Sequence, residues 1–385
     1  MRFAVALFLL LHGIAHLPGF FGAWGKVGAP PDLSSTPLGH LFEEGSMGAK
    51  AIGIVWLMLC FSYAAVAALV VLRQPLAIPA ALGVAVVSLL LSAMTWPVVK
   101  VGVIANLAVI AVALLAARQT SMYLENSFAN AFESAAPRPG DAAGPPVTEQ
   151  QLAPLPEPVR RYLHFMGVVG RPRDWSLRAH FDARFRRDAG AWLPCEALQY
   201  DTRLGVARYF YMRLVMKAIV PVIVRDTYVN GRGRMLARAF DALTVVDGTG
   251  MELDTGELVT YLNDATLMAP SLVLGPETAW SAVEGDPNAF DVAFTDGGRT
   301  VRARVFIDDR GAPTNFRTTD RFFDYPDGRR ARTEWNTPIE GWQLVSGRRL
   351  PTRGQAVWML PGGPFAYGDF PFDAGKIEFN VLPAR

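Results

Sequence analysis

Four apolar stretches in the first third of the chain are the feature that most limits how it can fold. They cover residues 3–23, 49–72, 76–96 and 101–117. About 20 apolar residues in helical form cross the hydrocarbon core of a bilayer. We therefore expect residues 1–118 to form a four-helix transmembrane module of a multi-pass protein in the cell inner membrane. The first stretch follows a basic residue as a signal peptide would, but it contains two histidines and is predicted to remain as a span.

Charge separates this module from the rest of the chain. Residues 1–119 contain six basic and three acidic residues, whereas the remainder contains 31 and 32. No segment has the basic surplus that nucleic-acid binding requires, so no nucleic-acid partner is expected. The six basic residues divide equally between the two sides of the membrane, and the positive-inside rule therefore separates the two orientations poorly. We take both termini to be cytoplasmic as a working expectation.

Polar residues within the predicted spans form a candidate intramembrane cluster. His12 and His16 are four residues apart and share one face of the first helix. Asn106 lies about 9 Å along the fourth helix from Lys100, at the depth predicted for His16. Polar side chains in a bilayer usually face the bundle interior, where they either hydrogen-bond neighbouring helices or mark a functional site. Two histidines without a third ligand do not define a metal or haem site, so no cofactor is predicted.

A change of composition marks the end of the membrane module. Residues 119–154 are predicted to be a flexible linker, since Pro, Ala and Gly dominate its second half. A short amphipathic helix is expected over 157–166, with Pro158 in its first turn. A β-rich domain that folds in water is then predicted over 155–385.

Alternating side chains predict the strands of this domain. Residues 177, 179, 181, 183 and 185 are apolar and alternate with charged neighbours, and the same pattern recurs at 301–307 and 377–381. Asn-Gly, Asp-Gly and Ser-Gly pairs between such runs are typical of hairpin turns. Helical spacing of apolar residues within 256–274 predicts one or two short helices. The expected fold is an α-helical membrane bundle plus an α+β domain, whose curved antiparallel sheet, resembling a half-barrel, carries short covering helices.

Three functions are considered for this domain: an enzyme, a ligand-binding protein, and a structural or sensory partner of another membrane protein. Acid–base or cation chemistry would rest on Glu252, Asp254 and Glu257, although carboxylates in this pattern more often lie on a wet strand face and cap a helix. Asp320 and Arg321 are expected as a surface pair. No nucleophile motif or phosphate-binding loop occurs, so the enzyme is the less favoured hypothesis.

Aromatic residues favour ligand binding. Six of the nine tryptophans fall after residue 170, and aromatic side chains commonly line apolar ligand cavities. The candidates for such contacts are Trp192, Tyr261, Trp280 and Trp358. The leading hypothesis is a membrane-anchored protein that holds a hydrophobic ligand, such as a lipid, between the curved sheet and its helices. The competing hypothesis is a hydrolase or transferase that uses the acidic residues.

Several segments resemble a known family. They are HGIAH (12–16), KVGVIAN (100–106), LPEPVRRYL (155–163), VVDGTGMELDTGELVTYL (245–262) and VWMLPGGPFAY (357–367). Together they are similar to an uncharacterised family of bacterial membrane proteins, a domain of unknown function, preceded by a small four-helix membrane module. At the level of fold alone, the domain resembles the half-barrels of lipoprotein carriers, which hold acyl chains under a helical lid. That resemblance implies the same type of cavity and does not by itself assign a function.

Overall fold

The computed structural model describes residues 2–24, 46–72, 74, 76–96, 99–135, 144–216, 220–240, 243–325 and 327–382, with the backbone alone over 118–135. The chain divides near residue 125 into two compact units. Each unit has its own apolar core and is described separately.

Five helices make up the first unit. They are α1 (Arg2–Ile14), α2 (Leu17–Ala23), α3 (Met47–Val71), α4 (Ala77–Met94) and α5 (Lys100–Ala135). Four segments are long and apolar enough to cross a membrane: Arg2–Ala23, Met47–Val71, Ala77–Met94 and Lys100–Ala117. These segments coincide with the four predicted spans to within a few residues, and α1 and α2 together make up the first span.

Pro18 explains why the first span consists of two helices. Proline has no N–H, and its ring collides with the carbonyl four residues earlier, so a helix bends at this point. The amide of His16 donates to Gly13 O at 3.0 Å. The carbonyl of His12, which that amide would meet in a regular helix, instead accepts a hydrogen bond from Nδ1 of His16 at 2.8 Å.

Helices α1 and α3 approach closely because of a glycine. A Cβ on Gly13 would lie 2.9 Å from Cβ of Tyr63 and 3.0 Å from the carbonyl oxygen of Cys60. Small residues at helix crossings permit such approach in membranes, where van der Waals packing replaces the hydrophobic effect between helices. The contact buries Tyr63 completely.

Helical structure is present within the segment 119–154 that is predicted as a linker. Helix α5 continues to Ala135, and helix α6 (Glu149–Leu152) begins at a capping box in which Thr148 and Gln151 bond each other's backbone amides. Val147 and Leu152 are buried in the core of the second unit. Composition indicated a linker because the apolar residues in this segment are few, yet two of them pack. Helix α7 (Glu157–Phe165) follows and confirms the predicted amphipathic helix.

Sixteen strands form most of the described part of the second unit. They are β1 (Ser176–Phe185), β2 (Leu193–Thr202), β3 (Ala207–Met216), β4 (Val220–Val229), β5 (Arg232–Ala239), β6 (Leu243–Gly248), β7 (Thr278–Val283), β8 (Asp286–Asp296), β9 (Arg299–Ile307), β10 (Pro313–Thr318), β11 (Phe322–Asp324), β12 (Arg330–Arg332), β13 (Trp335–Val345), β14 (Arg348–Leu360), β15 (Gly363–Pro371) and β16 (Ile377–Phe379).

The main sheet is antiparallel throughout and has the order β6-β5-β4-β3-β2-β1-β15-β14-β13-β10-β9-β8-β7, with β16 paired to β1. Pairing of β1 with β15 joins the two halves of the meander, at Arg184 with Asp369 and Phe185 with Gly368. Strands β11 and β12 form a separate hairpin. Edge strands β6 and β7 lie at opposite ends of this order, so the described sheet curves without closing into a barrel, and the expected fold class is confirmed.

Local signals account for much of this sheet. The apolar residues of β1 point inward and its charged residues outward, as the alternation predicted. Asn230-Gly231 and Ser346-Gly347 form two-residue hairpin turns with positive φ at both residues. Asp247-Gly248 differs, because it ends β6 and leads into a helix rather than into another strand.

Helix α8 (Met251–Met268) crosses the concave side of the sheet and is followed by a 3-10 turn at Pro270–Val273. It begins five residues before the predicted helical segment of 256–274 and is a single long helix. Almost every residue from Asp254 to Met268 is buried. A helix enclosed on several sides has no wet face, so its sequence shows only part of the apolar periodicity that would reveal it.

Candidate functional site

A cavity of about 510 Å³ lies inside the second unit, between the curved sheet and α8. Its walls come from β1–β6 on one side, from β13–β15 on the other and from the inward side of α8. Native interiors are packed densely and contain few voids larger than one water molecule. A space of this size is within the range of small-molecule sites, about 300–1,000 Å³.

The wall changes from apolar to polar along the strands. Cross-strand pairing places inward-facing residues in rows, and two neighbouring rows are apolar: Cys195, Leu214, Val222 and Ala239, then Ala197, Met212, Val224 and Ala237. The next two rows toward α8 carry polar groups: Gln199, Phe210, Asp226 and Met235, then Asp201, Arg208, Tyr228 and Gly233. The cavity therefore has an apolar chamber and one polar end.

Arg208 is the centre of this polar end. Its guanidinium lies 3.0 Å from Glu257 and 2.8 Å from Asp264, both on α8, and 3.5 Å from Asp226 on β4. Gln199 donates to Asp264 at 2.8 Å and to Asp201 at 2.6 Å. These contacts attach α8 to the sheet, and we name Asp201, Arg208, Asp226, Glu257 and Asp264 the Arg208 cluster.

Burial and neighbouring charges shift the pKa values of the Arg208 cluster. Burial, and then the charge of Asp226, raises the pKa of Glu257 well above its usual value, although Arg208 acts in the opposite sense. Burial, and then the charge of Asp264, likewise raises the pKa of Asp201. Burial alone would lower the pKa of Arg208, but the surrounding carboxylates raise it. Burial thus favours the protonated forms of Glu257 and Asp201, while the carboxylates around Arg208 favour its charged form.

The acidic candidates from sequence occupy one helix and not a wet strand face. Asp254 is buried, accepts a hydrogen bond from Gly233 N at 2.8 Å and pairs with Arg299 at 3.2 Å. Glu257 belongs to the Arg208 cluster, and Glu252 is half-exposed in the first turn. The strand-face expectation was wrong for these residues because the helix begins earlier than its periodicity indicates. Asp254 joins α8 to the sheet, and the three carboxylates do not share one partner.

Arg321 lies in the cavity wall rather than in a surface pair. Its guanidinium carbon is 4.4 Å from the ring centre of Trp335 and 5.6 Å from that of Trp358. Asp320 turns away from the cavity and bonds Arg332 at 2.6 Å. The expectation of a surface pair was therefore wrong for Arg321, since adjacent residues in an extended segment point in opposite directions.

The four aromatic candidates lie outside the set of described side chains that line the cavity. Trp192 packs against Arg186 at 4.5 Å in the loop between β1 and β2. Tyr261 contacts Phe294, and Trp280 contacts Phe290. Trp358 borders the cavity through Arg321 and Tyr367. Composition predicts an aromatic core, but strand pairing decides which rings reach the cavity, and these are Phe181, Phe185, Phe210, Trp335, Tyr367, Phe370 and Phe372.

A second polar site lies within the helical unit. His12 Nε2 donates to Asn106 Oδ1 at 3.0 Å, and the Tyr63 hydroxyl donates to the same oxygen at 2.5 Å. Asn106 Nδ2 donates to Ser88 Oγ at 2.8 Å, and Ser88 lies 2.7 Å from Nε2 of His16. Each of these side chains is buried, so four apolar segments are joined by one polar network.

The intramembrane cluster differs in detail from its predicted arrangement. The direct bond to Asn106 comes from His12, one turn from the expected His16, because the bend at Pro18 turns His16 toward Ser88. Lys100 is exposed at the start of α5. Among the described residues, no group of three or more His, Cys, Asp or Glu side chains is arranged to hold a metal ion. Tyr63 and Ser88 were not singled out from sequence, although a serine or tyrosine within an apolar span is a signal of this kind.

Sequence carries a signal for the missed residues of the Arg208 cluster as well. On β2, β3 and β4 the inward-facing series changes from apolar residues to a charged residue near one end of the strand: Asp201, Arg208 and Asp226. Charged residues are almost never fully buried unless paired. Three such residues at the same end of adjacent strands therefore indicate a shared polar site once the pairing is known.

Comparison with known proteins places the chain in a family. No curated protein matches the chain. Among solved structures, a LolA-superfamily protein from Nitrosomonas europaea has 13% identity and a TM-score of 0.27, over 62% of this chain and 96% of that one. A β-barrel-like protein of domain of unknown function DUF1849 from Brucella abortus has 11% identity and a TM-score of 0.23, over 54% of this chain and 98% of that one.

The sequence profile of one family covers most of the second unit. It matches residues 145–370, which begin two residues before buried Val147 and include α8 and the strands that line the cavity. More than half of the chain is matched, and the family resemblance inferred from the sequence segments is confirmed. The chain belongs to the family of unknown function DUF6544.

Proposed function

We propose that this protein binds a hydrophobic ligand, such as a lipid, in the cavity between the curved sheet and α8, while its helical module anchors it in the cell inner membrane. The observation that carries the proposal is the cavity itself, about 510 Å³ in volume and lined mainly by aliphatic, aromatic and methionine side chains. Apolar cavities of this kind bind apolar molecules because water gains few hydrogen bonds inside them.

Flexible side chains support the binding of a chain-like ligand. Met212, Met216, Met235 and Met268 all line the cavity. Methionine is unbranched and adapts its shape to irregular apolar partners. The aromatic side chains of β15 add rigid walls on the opposite side. This combination suits a flexible hydrocarbon better than a compact polar metabolite.

The helical module supplies a source for such a ligand. Four helices suited to a bilayer tether the cavity-bearing unit close to a membrane. A protein held there meets lipids at high effective concentration. The side of the membrane on which the unit lies does not affect this reasoning.

Native mass spectrometry of the full-length protein, followed by lipid extraction, tests the proposal. Ala237 and Ala356 line the cavity, and the double variant Ala237→Phe/Ala356→Phe fills part of it. The exposed Ala282 on β7 provides a matched control as Ala282→Phe. We expect wild type and the control to retain a copurifying lipid or the neutral probe N-phenyl-1-naphthylamine, and the double variant to lose it. Absence of both ligands from wild type, or equal binding by all three proteins, would refute the proposal.

A hydrolase or transferase is the second candidate, because Asp226 and Asp264 line the cavity beside carboxyl groups of raised pKa. Such groups are typical of acid–base sites. Their contacts with Arg208 favour a structural role instead. Recovery of a chemically altered lipid from wild type, but of intact lipid from Asp226→Asn, would favour the enzyme.

A further inference from the structure

Arg321 differs from Arg208, the buried arginine of the cavity wall, in having no ion pair among the described residues. Arg208 has three carboxylates within 3.5 Å. Arg321 forms no ion pair within 4.0 Å among the described residues, and its described contacts are the faces of Trp335 and Trp358. A half-buried guanidinium normally has a paired acid, because burial of a charge is costly. Stacking on tryptophan offsets part of that cost but leaves the N–H groups of the guanidinium available.

A second donor lies beside Arg321. Trp335 Nε1 donates to the hydroxyl oxygen of Tyr367 at 3.2 Å. The hydroxyl proton of Tyr367 is therefore free to point toward the cavity, which Tyr367, Trp335 and Arg321 all line. Burial raises the pKa of Tyr367, so the hydroxyl keeps this proton at neutral pH. Arg321 and Tyr367 thus present two kinds of donor to one region of the cavity.

The neighbouring acids leave this charge available. Burial raises the pKa of Glu257, on α8, well above its ordinary value, although Arg321 acts in the opposite sense. Asp226 and Asp264 bond Arg208. The α8 backbone approaches Arg321 at Gly256, where an added Cβ would lie 4.0 Å from Arg321 Nε. Arg321 therefore lies against α8 and forms no ion pair with an acid of α8 among the described residues.

We propose that the ligand is an amphiphile with an oxyanion head, a carboxylate or a phosphate, and that Arg321 and Tyr367 bind this head while the hydrocarbon occupies the apolar rows. This inference rests on the proposed function and names the class of its ligand. Arginine binds both oxyanions through paired, charge-assisted hydrogen bonds, which are stronger than neutral ones. Phe181, Phe370 and Phe372 line the same cavity with apolar surface, and the ring of Phe181 contacts the rings of the other two.

Displacement of N-phenyl-1-naphthylamine from the full-length protein tests the head and the chamber separately. Dodecanoate, dodecyl phosphate and dodecanol share one hydrocarbon chain and differ only in their heads. We expect at least one of the two anions to displace the probe from wild type about tenfold more effectively than dodecanol, a difference of about 1.4 kcal/mol. The stronger of the two anions identifies the carboxylate or the phosphate as the preferred head.

Variants attribute the preference to named side chains. Arg321→Gln should remove most of the preference for the anion and leave dodecanol unchanged, Arg321→Lys should retain part of it, and Tyr367→Phe should reduce it. The matched control is Arg213→Gln, at an exposed position on the outward face of β3, which should behave as wild type.

Two outcomes separate the inference from the function on which it rests. Equal displacement by the three C12 compounds, or an anion preference that persists in Arg321→Gln, overturns the oxyanion head while ligand binding stands. A probe that does not bind wild type, or that binds the cavity-filled double variant equally well, overturns both. If Arg321→Gln does not fold, Arg321→Lys and Tyr367→Phe still decide the result.

Discussion

At the scale of residues, burial determines what each carboxylate does. Glu252, Asp254 and Glu257 are near neighbours in sequence and resemble one acidic cluster. In the structure Glu252 is half-exposed, Asp254 joins the helix start to β5 and β9, and Glu257 is buried beside Arg208 with a raised pKa. The three carboxylates therefore have different roles, and a separate substitution at each one distinguishes them.

Asp254→Ala should destabilise the second unit. The substitution leaves the amide of Gly233 without its acceptor and Arg299 without its nearest acid. We expect a loss of about 2–3 kcal/mol in the free energy of unfolding, less than for a fully buried pair because Arg299 is partly exposed. Thermal unfolding of the full-length protein, followed by tryptophan fluorescence, measures it. The control Glu252→Ala should change stability by less than about 0.5 kcal/mol, and equal losses in both variants would contradict the assignment.

Glu257→Gln should make stability less dependent on pH. The raised pKa of Glu257 means that the folded state retains a proton which the unfolded chain loses near its ordinary value, about 4.3. The stabilising contribution of this group is therefore complete below that value and is lost as the pH rises toward the folded pKa. Gln imitates the protonated form, so the melting temperature of the variant relative to that of wild type should rise as the pH increases above about 5.

The control for this pH dependence is Glu284→Gln, at an exposed position. It should follow the wild-type pH profile. A profile for Glu257→Gln that is parallel to wild type over the same range would show that Glu257 is ionised in the folded protein.

At the scale of elements, close approach positions both sites. Helix α8 reaches the sheet where β5 has a glycine, since a Cβ on Gly233 would lie 2.4 Å from Leu253 O. Helix α1 reaches α3 through Gly13 in the same way. Each approach brings polar groups together: Asp254 with the Gly233 amide, and His12 with the ring of Tyr63, whose centre is 4.7 Å away.

Gly13→Ala should loosen the helical bundle. The added methyl group would have to displace either Tyr63 or the backbone at Cys60, and it would thereby separate α1 from α3. We expect a lower melting temperature for the bundle of the detergent-solubilised protein. Gly83→Ala in α4 is the matched control, since no atom lies within 4 Å of its new Cβ, and it should be neutral or stabilise by up to about 1 kcal/mol. The packing argument fails if the two variants melt alike.

At the scale of the whole molecule, two cores of different character lie in one chain. The helical unit exposes large apolar side chains such as Phe61, Leu90 and Ile104 where lipid would cover them. The second unit buries an apolar core that extends from Val147 to Ile377. A core that is complete within one unit predicts that this unit folds without the other.

A fragment beginning at Gly144 should therefore be soluble and unfold cooperatively. A fragment beginning at Leu155, the predicted start of the domain, lacks buried Val147 and Leu152. It should be less stable by about 3 kcal/mol or more, because burial of one aliphatic side chain contributes about 1.5–3 kcal/mol. Urea unfolding of both fragments measures the difference. Aggregation of the longer fragment while the full-length protein remains stable would show that the units depend on each other.

The sequence by itself determined the features that depend on local pattern. Each of these patterns lies within about 20 residues and correctly predicts one structural element. They are the apolar runs long enough for a bilayer, the alternation in β1 and β9, Asn230-Gly231 at a hairpin and Pro158 at a helix start. The α+β class and the antiparallel meander follow from these elements and their short connections.

Only the tertiary structure decided how distant segments meet. Pairing of β1 with β15 joins residues almost 200 positions apart, and α8 brings Glu257 and Asp264 to Arg208 on β3. The sequence shows that Arg208 and Arg321 are arginines, but not that Arg208 pairs with three acids while Arg321 forms no ion pair among the described residues. That difference arises because burial and charge pairing depend on every element packed around a side chain, which no local pattern contains.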